Sequence, residues 1–190
     1  MQISSNFDSG NIEVISAESP SNIELAIKKD HQSEFYQWFH FKLHNTEHSE
    51  HVMHLTNAGK SAYVEGWKDY QAVASYDRQH WFRVPTIFDG ENLSITFTPE
   101  YDSTYFAYFA PYSYERHQDL IHSAQLDIDC QLQVLGQTLD GRDMSLLKVG
   151  EEGEGKKVIW ITARQHPGET MAEWFMEGFI DRLLDEDDGV

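Results

Sequence analysis

The stretch that most constrains the fold runs from Lys156 to Thr170 and continues as an amphipathic segment to Leu184. Val158-Ile159-Trp160-Ile161 is an uninterrupted apolar run of strand length, which predicts a strand covered on both faces of a sheet. Pro167 and Gly168 end that strand and turn the chain. Beyond them Ala172, Phe175, Met176, Phe179, Ile180 and Leu183 recur at helical spacing, with Glu173, Glu177, Asp181 and Arg182 between them. His166 and Glu169 therefore fall where a buried strand ends and a helix begins. In open α/β sheets that carboxyl-end crevice is where ligands bind.

A His and a Glu three residues apart can reach one cation from a turn. The imidazole nitrogen suits a borderline-soft ion and the carboxylate adds charge and a harder ligand, so zinc is the natural candidate. Spacing alone does not single this pair out, because His31/Glu34 and His44/Glu47 repeat it. The competing reading is a polar loop in which Glu169 caps the helix start, where a carboxylate suits the helix dipole. His48, His51 and His54 are also three apart, but they lie in a strand-like segment, where such residues point to opposite faces. At most two of them could share an ion, and they read as ordinary surface or half-buried histidines.

The 190 residues, 40% hydrophobic and 13% aromatic, suffice for one large domain or two small ones. A net charge of −18 disfavours nucleic acid and anionic membrane as partners, since both require a positive footprint. No apolar run is long enough to cross a bilayer, and the start at Met1 lacks the charged-then-apolar layout of a signal peptide. Cys130 is the only cysteine, so no internal disulfide forms and a reducing, cytoplasmic compartment fits best. Its alternating surroundings make it core filler rather than a nucleophile. The Asp185-Glu186-Asp187-Asp188 cluster reads as a solvated helix end. Neither a Gly-x-Ser-x-Gly elbow nor a glycine-rich phosphate loop occurs, which disfavours serine-hydrolase and nucleotide chemistry.

Residues 1 to about 115 read as β structure. Strand-like segments are expected at 11–15, 23–27, 35–41, 52–56, 71–75, 93–98 and 104–110, each short and β-branched or aromatic. Asp8-Ser9-Gly10, Ser19-Pro20, Asn57-Ala58-Gly59 and Asp89-Gly90 punctuate them, and this rhythm suggests a two-sheet antiparallel sandwich. Tyr112 to Ser123 looks like a short helix or connection. Leu126 to Leu135 then alternates strictly, Gly136 to Gly141 turns, Met144 to Val149 forms another strand, and with the 158–161 strand and the helix after it this order suggests the start of an α/β domain. The expected division is an antiparallel β-sandwich over residues 1–119 and an incomplete α/β domain over 120–190.

Leu135-Gly136-Gln137-Thr138-Leu139-Asp140-Gly141-Arg142-Asp143-Met144, a strand, and then His166-Pro167-Gly168-Glu169-Thr170 resemble the opening of a zinc metallocarboxypeptidase domain. The His-Pro-Gly-Glu-Thr form after Ala163-Arg164 is similar to the cytosolic carboxypeptidase branch. Further matches are Asn6-Phe7-Asp8-Ser9-Gly10-Asn11, Tyr36 to Phe41, Trp81-Phe82-Arg83 and Tyr105 to Tyr112, so the likeness extends over nearly the whole chain. That branch carries a β-sandwich ahead of its catalytic domain. The resemblance implies a hydrolase that removes C-terminal residues from peptides or proteins, acidic glutamate tails among them, with His166 and Glu169 as two of three protein ligands to a catalytic Zn2+. It also implies that the third ligand, the general-base Glu and the Arg that holds the substrate carboxylate lie beyond Val190. None of these catalytic residues is then in this chain, which by itself is expected to bind zinc weakly and to be inactive. Its partners would be protein C-terminal tails and the C-terminal half of the same enzyme. Only 14 Lys and Arg stand against 32 Asp and Glu here, so any basic pocket for an acidic tail must come from that other half. The reading from another class is a non-catalytic protein-binding sandwich with a vestigial metal site.

Overall fold

The computed structural model describes residues 1–44 and 48–185, and these form a mixed fold of sheets with two helices. The chain divides into two compact units: Met1–Pro111 with His166–Gly168, and Tyr112–Gln165 with the residues from Glu169 onward.

In chain order the strands of the first unit are β1 (Gln2–Ser4), β2 (Glu13–Ser19), β3 (Asn22–Ala26), β4 (His40–His44), β5 (His51–Leu55), β6 (Val73–Ser75), β7 (Phe82–Arg83), β8 (Thr86–Phe88), β9 (Leu93–Phe97) and β10 (Ser103–Ala107). They make two five-stranded sheets, ordered β1-β4-β10-β6-β7 and β2-β3-β5-β9-β8. Every pairing is antiparallel but one, since β3 runs parallel to β5 with Ile23 opposite Met53 and Leu25 opposite Leu55. Alternation explains the sandwich. Ile23, Leu25, Met53, Leu55, Leu93 and Ile95 from one sheet and Phe41, Leu43, Ala74 and Phe106 from the other are all fully buried in one cluster. Phe97 of β9 meets Phe106 of β10 edge-on at 5.4 Å, which is how the two inner faces interlock.

The expected strand over 35–41 begins only at His40, because the preceding residues find their bonds elsewhere. Phe35 O accepts from Asp30 N, Tyr36 O from Ala62 N, and Trp38 O from the Asn11 side chain. The same contacts explain the Asn6–Asn11 motif as a latch on the start of β4. Asn11 and His40 exchange backbone hydrogen bonds, and Trp38 Nε1 donates to Ser9 O at 2.8 Å. A Cβ on Gly10 would fall 2.0 Å from Ser5 O, so no larger residue fits that turn.

The latch buries His40 against Phe7, Trp38, Trp81 and Tyr105. Its Nδ1 lies 2.9 Å from Ser9 Oγ, while Nε2 is buried without a partner. Burial first, and then the nearby Arg78 charge, push the imidazole down from 6.5 to about 3. The folded protein holds His40 neutral, whereas the unfolded chain protonates it near its ordinary value. The contribution to stability is therefore complete above about pH 6.5 and is lost as pH falls toward 3, at about 1.4 kcal/mol per pH unit. Urea midpoints measured between pH 6.5 and 4 should fall more steeply for the native sequence than for His40→Gln. Equal slopes would show that His40 titrates alike in both states.

The second unit contains α1 (Tyr114–Ala124), β11 (Cys130–Gln137), β12 (Asp143–Val149) and α2 (Thr170–Leu183). Ser113 caps α1 by accepting from Arg116 N at 3.1 Å. β11 and β12 form an antiparallel hairpin with an irregularity between Val134 and Gly136, and Cys130 is buried, as its alternating context predicts. The strand expected over Val158 to Ile161 is absent from the described residues. That stretch pairs with no strand, and Val158 and Ile159 are 89% and 82% exposed. A strand exists only through a neighbour's ladder of hydrogen bonds, and β11 and β12 bond only to each other. Among the described residues no helix is long and apolar enough to cross a membrane.

A candidate metal-binding turn

His166 opens a turn through Pro167 and Gly168, and Glu169 immediately precedes α2. Glu169 occupies the position of a helix cap with φ −89° and ψ 43°, but its side chain makes no capping hydrogen bond. The helix start is held instead by the backbone, with Ala172 N donating to Glu169 O at 3.1 Å. His166 is exposed and Glu169 half-buried. Thr170, the first helical residue, is buried, and its hydroxyl has no partner. An imidazole and an uncapping carboxylate on one turn are donors of the kind zinc takes, so the residue types fit the ion. Among the described residues no group of three or more His, Cys, Asp or Glu side chains gathers as a metal centre. A catalytic zinc commonly takes three protein ligands, and this turn offers two.

Gly168 is required by its neighbour. A Cβ there would lie 2.9 Å from Tyr108 Cε1 and 3.2 Å from Cδ1. Tyr108 is itself buried and packed beside Trp67 and Tyr70, so its ring cannot give way.

The residues flanking the turn are held by charge. Arg164 adopts a positive φ of 50°, which non-glycine residues seldom do. Its Nη1 donates to Tyr112 O at 2.9 Å and to Glu173 Oε2 at 2.6 Å. The other Glu173 oxygen lies 2.6 Å from His117 Nδ1. Glu173 is only 8% exposed. Burial opposes its ionisation, but the bonds from His117 and Arg164 outweigh this and hold its carboxyl below the ordinary value. One turn further along α2, Glu177 accepts from Arg116 through both oxygens and from the Tyr112 hydroxyl. The Arg116 guanidinium also lies 4.4 Å from the centre of the Trp174 ring.

In the sequence Glu173 and Glu177 are only the charged residues between the apolar positions of the helix, and nothing there shows this network. The local signal was slight: the two carboxylates stand four residues apart on one helix and Arg164 precedes Glu173 by nine residues, but Arg116 and His117 come from more than fifty residues away. The other candidate histidines go separate ways. His51 is buried with Nδ1 2.7 Å from Ser49 O, while half-buried His54 meets Ser94 Oγ at 2.8 Å. His48 pairs with Pro99 O and Asp102. Glu34 bonds Lys29. Of the pair His44/Glu47, Glu47 lies outside the described residues, as do residues 186–188 of the acidic end.

Residues 3–109 match the family model for the cytosolic carboxypeptidase N-terminal domain, and residues 118–189 match the zinc carboxypeptidase model. An uncharacterized protein of Zymomonas mobilis is 48% identical over 190 residues, covering 100% of this chain and 49% of its own length. The crystal structure of a putative carboxypeptidase A from Shewanella denitrificans superposes with a TM-score of 0.92 at 56% identity, covering 98% of this chain and 50% of that one. A metallo-carboxypeptidase from Pseudomonas aeruginosa in complex with (2-guanidinoethylmercapto)succinic acid gives 0.92 at 48% identity, covering 99% and 50%. The chain thus spans about half the length of these relatives.

Proposed function

Because the chain belongs to the cytosolic carboxypeptidase family of zinc carboxypeptidases, we propose that the whole protein is a cytoplasmic zinc-dependent exopeptidase acting on the C-terminal residues of peptides or proteins. His166 and Glu169 supply two ligands to the ion. The observation that carries this reading is the His166–Glu169 turn itself, a zinc-type donor pair at the start of a helix, within residues matching the zinc carboxypeptidase model. When bound, the ion polarises the scissile carbonyl and lowers the pKa of its water. This chain's residues place the donors: Gly168 lets the turn pack on Tyr108, and the backbone at Glu169 starts α2. The remaining ligand, general base and carboxylate-binding Arg belong to the part of the family's length that this chain does not span.

Two domains follow from the same premise, a β-sandwich over 1–119 and the first part of the catalytic domain from 120. We read the exposed side chains of Val158, Ile159 and Trp160, and those of Met171 and Phe175 on α2, as the faces against which the rest of the catalytic domain packs. An acidic C-terminal tail is a candidate substrate, its basic pocket supplied from outside this chain.

The test uses the full-length protein loaded with zinc and matched peptides with free or amidated C-termini. An exopeptidase cleaves the free form at least about a hundredfold faster, since an amide leaves the carboxylate-binding groups without their ion pair. It is also inhibited by (2-guanidinoethylmercapto)succinic acid, whose carboxylates mimic a chain end. Equal cleavage of both peptides would overturn the exopeptidase reading. Absence of zinc and of turnover would favour a binding module instead.

A further inference from the structure

We infer that Arg164 and Glu173 are positioning residues that set the turn carrying His166 and Glu169, distinct from the general bracing of α1 against α2. The inference rests on the reading of that turn as a zinc site. Arg164 lies two residues before His166, and Glu173 lies in the first turn of α2, four residues after Glu169. Their 2.6 Å ion pair, nine residues apart in sequence, closes a short loop containing both donors. Closing so short a loop removes most of the conformations its residues could otherwise sample.

Two further observations point the same way. The positive φ of Arg164 is a conformation that persists only where surrounding contacts over-determine it, and its guanidinium bonds to Tyr112 O and Glu173 supply those contacts. Glu173 is a buried carboxylate with both oxygens engaged, on a helix that leaves Met171 and Phe175 exposed. Apolar packing on that face would hold α2 as well, so the charge serves a fixed geometry rather than burial.

The Arg116–Glu177 pair provides the internal control. It joins α1 to α2 directly, as His117 does to Glu173 one helical turn before it, but it encloses neither donor within a short loop. If Arg164 and Glu173 only brace the helices, breaking either pair should affect zinc alike. If they position the turn, only the first pair matters to the ion.

The experiment measures zinc affinity, by competition with a chromophoric chelator, and thermal unfolding of the zinc-free form, both on the full-length protein. Arg164→Gly removes the side chain while suiting the positive φ, so it separates the ion pair from backbone strain. Arg164→Gly and Glu173→Gln are each expected to weaken zinc binding by about ten- to a hundredfold, the range seen when the supports of metal ligands are removed. The double variant should lose less than the product of the two single losses, because both break the shared Arg164–Glu173 pair while each also loses a partner of its own. Glu177→Gln should lower the unfolding temperature and leave zinc affinity within about twofold. Native affinity in Arg164→Gly, or an equal loss in Glu177→Gln, would overturn the inference. If Glu173→Gln does not fold, Arg164→Gly decides the question. His166→Ala separates the two levels: if it keeps native zinc affinity, the zinc site itself is wrong. If it loses zinc while Arg164→Gly does not, only the positioning role is.

Discussion

Full-length protein carrying His166→Ala is expected to lose bound zinc and to fall in kcat/KM by roughly a thousandfold or more. The ion supplies several kcal/mol of transition-state stabilisation, and each 1.4 kcal/mol or so is a factor of ten in rate. The loss should appear in kcat as well as KM, since polarisation of the carbonyl acts mainly as charge develops. His166 is exposed at the start of its turn and holds no place in the apolar core, so thermal unfolding of the zinc-free variant should match that of the zinc-free native protein. Glu169→Gln should also lose zinc, since the substitution removes the charge that makes the side chain a good ligand. Metal analysis after gel filtration, paired with peptide hydrolysis, reads both effects. Hydrolysis by His166→Ala at the native rate, with native zinc content, would remove the turn from the active site.

What the sequence could disclose follows from where its bonds close. The sandwich was legible because its strands satisfy one another. Ile23, Leu25, Met53, Leu55, Leu93 and Ile95 alternate with partly exposed residues, and period two is readable without any partner in view. β7 and β8 were not foreseen, being two and three residues long and partly exposed, too short to display a period. The parallel pairing of β3 with β5 left no mark either, because side-chain alternation does not record strand direction. The run from Val158 to Ile161 shows the opposite failure. Its composition states an inside environment, but the strands that would make it one are not among the described residues, so it stands outside any strand and exposed. The turn from His166 to Glu169 was legible from Pro167, Gly168 and the helical period beyond. Its support was not: Glu173 looks like any solvent-facing glutamate until Arg164 and His117 are seen to close on it.

The largest expected loss of stability comes from Trp67→Ala. Trp67 closes a short 3-10 turn at Val64–Trp67 and is 1% exposed. Its ring stacks on Phe39 at 6.5 Å and meets Tyr70 and Tyr108 edge-on at 5.2 and 5.3 Å. Nε1 donates to Ala58 O at 3.0 Å and lies 2.8 Å from Ser61 Oγ. Truncation to alanine opens a cavity among rigid rings, which costs about 3–5 kcal/mol. It also takes the donor from the Ser61 hydroxyl, adding about 1–3 kcal/mol where that group cannot find water, while Ala58 O keeps its bond from Ser61 N. Against a typical domain stability of about 5–15 kcal/mol, the sandwich would stand near its folding threshold. Trp67→Phe refills part of the volume and leaves only the Ser61 hydroxyl without its donor, so it should lose roughly half as much. Urea unfolding of both variants, followed by the far-ultraviolet signal of the first transition, reads the two terms separately. A loss below about 1 kcal/mol for Trp67→Ala would mean that the rings of Phe39, Tyr70 and Tyr108 close over the gap, contrary to the close packing that also leaves Gly168 no room for a Cβ against Tyr108.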